Sequence, residues 1–250
     1  RTIADPCSGI CDFLAIAWKY SGSTGEALEY YGFDISKNVL KLAELNLVLN
    51  GDGNANLYNA NTIFEKLCEN DQFTDLKNFT PNNYNVEDWT SKHDPNKNIK
   101  KYDYVITNPP FGKGRDLKTG KKDKWDYGLS EQNMLMYETW KLKSTRSGYP
   151  NSIDMGVIFL ENAIKMTKRG GVGIVLSNSI ASIRKWKKIR KWLIPKLRLV
   201  ALLDMPPNSF GETGVATTVL IAYRPKHDEK HLLDKNYEVS TNKINFNVEK

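Results

Sequence analysis

The stretch from Tyr102 to Gly112, YDYVITNPPFG, constrains the fold more than any other part of the chain. Its first residues are β-formers, so it begins as a short strand. Pro109 and Pro110 then end the ladder, because a prolyl nitrogen has no hydrogen to donate and its ring fixes φ. The strand stops abruptly and Asn108 is held just beyond its carboxyl end. In open parallel α/β sheets that edge is where ligands bind. The residue types suit one chemistry. The Asn108 side-chain oxygen and a prolyl carbonyl accept hydrogen bonds, and Pro109 has no N–H to compete. Such acceptors match an exocyclic aromatic amine, whose lone pair is delocalised into its ring. Phe111 adds a flat face for a base taken out of its stack. An ordinary turn accounts for the two prolines but not for the full Asn-Pro-Pro-Phe sequence.

Three further strand ends carry polar residues. Asp5-Pro6-Cys7-Ser8-Gly9-Ile10-Cys11 follows a short apolar start and precedes a helical pattern through Trp18 and Tyr20. A strand, a Gly-containing loop and a helix is the geometry by which a backbone approaches a nucleotide. A single glycine in a loop is also an ordinary turn. Ala27 to Asp34 reads as a second strand ending in an acid, and Asp34 lies 25 positions after Gly9. That spacing fits an acid that takes a ribose diol. Asp34 or Ser36 also fits as the N-cap of a helix from Lys37, whose stripe is Leu40, Ala43, Leu47 and Val48 and whose end is Asn50-Gly51. A third strand, Ala55 to Asn59, leads to Asn61 and Thr62, where an amide can read the edge of an adenine or cap a helix.

Beyond Phe111, Gly112-Lys113-Gly114-Arg115 and the lysines from Lys118 to Lys124 form a basic loop suited to a phosphate backbone, or a solvated face. The pattern then predicts a helix over 153–168 halted by Gly170-Gly171, and a buried strand over 172–176. One amphipathic helix follows over 180–193, then strands over 199–203 and 216–223. Residues 69–101 lack periodicity and read as a surface insertion, and residues 226–250 as a polar tail or linker. Strands alternating with helices imply a parallel sheet covered on both faces. The last strand is reached by a loop rather than a helix, so it is the antiparallel one.

At 250 residues the chain is long enough for one α/β domain with a real core. The expected domain is 1–225. No apolar run spans a bilayer and no secretory leader is visible, which excludes a helical membrane protein and points to the cytoplasm. Three cysteines, with no ligand set beside Cys7 and Cys11, give neither a disulfide framework nor a metal site. The net charge of +7 is compatible with a polyanionic partner. The chain opens without a methionine, directly on a motif, and is expected to be a fragment.

Asp-Pro-x-x-Gly, Gly32-Phe33-Asp34-Ile35 and Asn-Pro-Pro-Phe-Gly occur in that order. With Leu45-Asn46-Leu47, Ile189-Arg190-Lys191-Trp192-Leu193, Met205-Pro206-Pro207-Asn208-Ser209-Phe210 and Val215 to Leu220, the chain resembles adenine-N6 DNA methyltransferases. It is most similar to the modification subunit of type I restriction–modification systems. The resemblance covers most of residues 3–225. It implies a Rossmann-like, seven-stranded, mostly parallel sheet and S-adenosylmethionine as cofactor. Asp5, Pro6 and Gly9 would line the methionine end, Asp34 and Ile35 the ribose, and Asn61 and Thr62 the adenine. Asn61 stands where an acid is common. Asn108, Pro109 and Pro110 would hold the target amine, Phe111 would stack on the flipped base, and Phe210 would pack on its other side. Lys113 and Arg115 would contact DNA, and a separate specificity subunit or domain would read the site. Glycine is usual at position 11, so Cys11 is expected to crowd the cofactor and Cys11→Gly to tighten its binding. Three readings follow: a DNA adenine methyltransferase, one acting on RNA or protein glutamine, and a non-catalytic nucleic-acid-binding module motivated by Cys11.

Overall fold

The computed structural model describes residues 1–25, 28–52, 55–63, 101–112, 137–143, 154–168, 170–206, 209 and 215–225. The 69–101 insertion except its last residue, Lys113, Arg115, the lysines to Lys124, Phe210 and the 226–250 tail lie outside the described residues. In chain order the elements are β1 (Thr2–Asp5), α1 (Asp12–Thr24), β2 (Glu29–Asp34), α2 (Lys37–Leu49), β3 (Asn56–Asn59) and β4 (Tyr104–Thr107). Then come α3 (Glu138–Lys141), α4 (Met155–Met166), β5 (Gly171–Ser177), α5 (Asn178–Ser182), a 3-10 turn (Arg184–Trp186), α6 (Lys187–Leu193), β6 (Arg198–Asp204) and β7 (Thr217–Tyr223).

All seven strands form one sheet in the order β3-β2-β1-β4-β5-β7-β6. The first five run parallel, and β7 inserts antiparallel between β5 and β6, as expected for the last strand. Side chains alternate across the sheet, so each strand feeds two cores. Ile3 and Tyr30 pack with Leu14, Ala15, Ala43 and Leu47 of α1 and α2. Ala4, Tyr31, Phe33 and Val105 pack with α4 on the other face. The strand order reverses between β1 and β4. The carboxyl ends of these two strands therefore splay apart and leave a crevice between their loops.

Local chemistry sets the element ends. Ser36 caps α2, its Oγ accepting from Val39 N–H at 3.4 Å. Asn50 N–H and Gly51 N–H close its last turn on the carbonyls of Asn46 and Val48, with Gly51 at φ +87°. Val48 does not share the buried stripe; it is exposed while Leu40, Ala43 and Leu47 are buried. Helix α4 ends at Thr167, which turns extended at ψ 128°, before the glycine pair. Gly170 has a different cause: a Cβ there would lie 1.5 Å from the Asp103 carbonyl oxygen.

The single helix expected over 180–193 is broken. At about 100° per residue an unbroken helix would put Ile180 and Ile189 on opposite sides. Ile183 instead turns extended at ψ 139°, and Ile180, Trp186 and Ile189 are all buried. The Arg190 guanidinium spans the break, donating to the carbonyls of Ile180 at 2.8 Å and Ile183 at 2.9 Å. No helix among the described residues is long and apolar enough to cross a membrane.

Candidate functional site

The crevice holds a cavity of about 310 Å³. Of the residues singled out from the sequence, Pro6, Gly9, Asp34, Ile35, Asn61, Thr62, Asn108 and Pro110 line it. They come from four strand ends, so the parallel sheet brings together segments about a hundred residues apart. Pro109 is buried and Phe111 half-buried, and neither lines the cavity.

The loop after β1 is held at two points. Ser8 N–H donates to Phe33 O at 2.8 Å, and Gly9 N–H to Asp34 Oδ2 at 3.1 Å. The second Asp34 oxygen accepts from Ser36 N–H at 2.8 Å. Asp34 thus ties the glycine loop to the cap of α2 while facing the cavity. Each of its oxygens keeps a second lone pair. Burial raises its carboxyl pKa, and these two N–H bonds oppose the rise. A Cβ built on Gly9 meets no atom within 4 Å, so a side chain there would fill open space at the cavity wall.

Asp5 stands behind the wall. It is 2 % exposed, and its Oδ1 accepts from Thr107 Oγ1 at 2.7 Å and from Cys7 N–H at 3.1 Å. Cys7 Sγ lies 2.8 Å from the same threonine oxygen. Thr107 immediately precedes Asn108, so this contact joins the β1 loop to the strand end that carries the asparagine. Thr62 also acts inside the protein: its hydroxyl donates to Pro6 O at 2.7 Å, and its carbonyl accepts from Asn162 Nδ2 at 2.8 Å. Asn61 Oδ1 accepts from Ile63 N–H at 3.2 Å.

Burial raises the Asp5 carboxyl from its ordinary 3.8 to about 7. Below about pH 4 both folded and unfolded chains hold this proton. Between 4 and 7 the unfolded chain ionises first, so the folded state loses stability as pH rises; above 7 the penalty is complete. Asp5→Asn keeps an acceptor for Thr107 and Cys7 without the titration. The difference in urea midpoint between Asp5→Asn and the wild type is expected to widen in the mutant's favour from pH 4 to 7. A difference that stays flat over that range contradicts the assignment.

Cys11 corrects the expectation drawn from the resemblance. Its side chain is fully buried in the core with Leu14 and Ala15, and its Sγ would meet a Cβ on Gly32 at 3.0 Å. It does not line the cavity. What glycine would relieve is the backbone, since Cys11 caps α1 at φ 65°, ψ 29°. Cys11→Gly is therefore expected to leave affinity for S-adenosylmethionine within about twofold of wild type by calorimetry, well under the tenfold that ~1.4 kcal/mol would give. Tenfold tightening would mean that the thiol does obstruct the site.

The sequence reading missed Cys7, Ser36, Val39, Ala60, Ile63 and Phe159 as cavity walls. Phe159 sits on α4, which is buried around almost its whole circumference, so no periodicity marks one of its apolar residues as special. With Ile35, Val39 and Ile63 it gives the cavity apolar lining suited to a flat ring. Asn108, which lines the same cavity, carries a side-chain Oδ1 that is buried without a hydrogen-bond partner among the described residues. A buried acceptor left unpaired is costly unless a ligand completes it.

These residues fit the cofactor that the resemblance implies. The Asp34 carboxylate would suit a diol, the apolar lining an adenine ring, and the glycine loop a close backbone approach. A volume near 310 Å³ lies within the range of small-molecule sites. Among the described residues no cluster of His, Cys, Asp and Glu forms a metal site.

Comparison with known proteins agrees with the geometry. A family model described as N-6 DNA Methylase matches residues 1–247. The type I restriction enzyme MpnII methylase subunit of Mycoplasma pneumoniae is 23% identical over 224 residues, which cover 87% of this chain and 35% of that protein. The chain thus spans about a third of this curated relative's length. Two solved structures share the fold. The methyltransferase subunit of a type I restriction–modification system from Streptococcus thermophilus superposes with a TM-score of 0.59 at 20% identity, covering 90% of this chain and 40% of that one. A protein from Listeria monocytogenes assigned to the class I S-adenosylmethionine-dependent methyltransferases gives 0.59 at 15% identity, covering 91% and 54%. The sheet described above is the fold of that class.

Proposed function

Because the chain belongs to the N-6 DNA methylase family, we propose that it transfers a methyl group from S-adenosylmethionine to the N6 amine of an adenine flipped out of DNA. The observation that carries this reading is that Asn108, whose Oδ1 is buried without a partner among the described residues, lines one cavity with Gly9 and Asp34. S-adenosylmethionine supplies a methyl group already activated by its sulfonium. The protein's task is positioning. Asp34 would hold the ribose with Gly9 toward the methionine end, and Ile35, Val39, Ile63 and Phe159 would enclose the adenine ring. Asn108 Oδ1 accepts one N6–H, which turns the amine's lone pair toward the methyl. No general base is needed before attack, and the amine loses its proton after the new N–C bond forms and the C–S bond breaks. Oriented approach and a preorganised acceptor account for the catalysis.

Residues 1–225 form the catalytic unit in this proposal, with Phe111 at the rim as the stacking face for the flipped base. Target choice is assigned to a further domain or a specificity subunit, because phosphate contacts fix position without reading sequence. The test is transfer of labelled methyl to DNA, RNA and protein offered together. Label in DNA alone supports the proposal. Label in RNA or glutamine would replace it with the other Asn-Pro-Pro-aromatic chemistry, and cofactor binding without transfer to any of the three would favour a non-catalytic module.

A further inference from the structure

Between Asn178 and Leu203 the chain carries no acidic residue, yet it carries six cations from Arg184 to Lys191. Only Arg190 of these is engaged with backbone, across the helix break. Arg184, Lys185, Lys187, Lys188 and Lys191 are exposed, and none makes a salt bridge among the described residues. A solvated helix would disperse such charges around its surface. Here the break at Ile183 and the burial of Trp186 and Ile189, at 2 % and 1 % exposure, pin the segment down and leave Arg184, Lys187, Lys188 and Lys191 exposed along it as a ridge, with the Lys185 ammonium 5.0 Å over the Trp186 ring.

The ridge also has a definite address. It follows α5, which leaves the carboxyl end of β5 on the same sheet edge as Asn108. Gly112, the last residue of the Asn-Pro-Pro-Phe-Gly turn, accepts from Met155 N–H at 2.9 Å. The neighbouring Asp154 carboxyl is raised by burial, and the nearby ammonium groups of Lys143 and Lys185 oppose that rise. Lys143 in turn lies 3.3 Å above the Trp186 ring. The ridge and the catalytic turn are therefore neighbours through α4's first turn.

Resting on the DNA reading above, we infer that this ridge is the surface that grips the phosphates flanking the flipped nucleotide. A flipped base leaves the duplex backbone running past the mouth of the pocket. Exposed ammonium groups on a fixed scaffold beside that mouth neutralise phosphates and release counterions on binding. The contact contributes affinity and register but no sequence preference.

The test is binding of a 20-base-pair duplex by fluorescence anisotropy at several salt concentrations, with S-adenosylmethionine affinity measured in parallel. Lys185→Gln with Lys188→Gln is expected to weaken DNA binding at least tenfold. It should lower the salt slope by up to about 1.8, at about 0.9 per lost contact, and leave cofactor affinity unchanged. The equal-charge control is Lys19→Gln, in the second half of α1, with Lys168→Gln, whose N–H donates to Tyr102 O beside the amino end of β4, and it should move the slope little. An unchanged slope in the ridge variant, or an equal loss in the control, overturns the inference. Because the readout is binding, it separates from the function proposed above: a wild-type protein that binds DNA through the ridge but transfers no methyl sinks that proposal and spares this one.

Discussion

Asn108→Ala is expected to lower the rate of methyl transfer by about two to three orders of magnitude, the loss typical of removing one group from a preorganised polar site. Affinity for S-adenosylmethionine should stay within about threefold. The reason is the location of the orphan acceptor. Asn108 Oδ1 has no partner to lose within the described protein, so truncation costs the fold little. It matters once an amine must be held with its lone pair aimed, which is a transition-state interaction. Single-turnover rates at saturating cofactor, with calorimetry alongside, measure both quantities. An equal loss of cofactor affinity and rate would place Asn108 in the cofactor site instead.

Gly170→Ala is expected to destabilise the fold by about 4 kcal/mol or more, at the exceptional end for a point substitution. The new Cβ would sit 1.5 Å from Asp103 O and 2.6 Å from its carbonyl carbon. Neither can rotate away, because both belong to backbone. Tyr102 N–H donates to Met166 O and Lys168 N–H to Tyr102 O, while Asp103 Oδ2 accepts from Thr2 N–H at 2.8 Å. Relief would therefore mean parting the start of β4 from β5. Gly173→Ala is the control. Its Cβ meets only Ile106 Cγ2 at 3.4 Å, an ordinary contact, and urea midpoints should show it close to wild type. Equal midpoints for the two variants would contradict the packing described.

Much of this could be read in advance where the chemistry is local. Two prolines after an apolar strand can end it in only one way, so Asn108 at a carboxyl edge followed from the sequence. The spacing of Gly9 and Asp34 anticipated their shared position, and the alternation of elements anticipated the sheet, its antiparallel last strand included. What stayed hidden depends on contacts between distant residues. The Asp5–Thr107 hydrogen bond joins positions 102 apart, and no pattern in either segment announces it. Phe159 is one apolar residue on a helix apolar almost all round. Cys11 was expected to crowd the cofactor, but its burial with Leu14 and Ala15 depends on the packing of α1 against the sheet, which the loop sequence does not announce. The break at Ile183 was missed because the apolar spacing of 180–193 is nearly helical, and only the joint burial of Ile180, Trp186 and Ile189 resolves it.

The central claim is that a nucleoside cofactor in the crevice and an amine on Asn108 meet across one cavity. The most direct measurement is nucleoside mass spectrometry of DNA incubated with the protein and S-adenosylmethionine, run in parallel with Asn108→Ala. N6-methyl-2′-deoxyadenosine is expected in the wild-type digest, with its loss, to about a hundredth or less, in the variant. A methyl group found on cytosine instead, or equal N6-methyl-2′-deoxyadenosine with and without the asparagine side-chain amide, would contradict it.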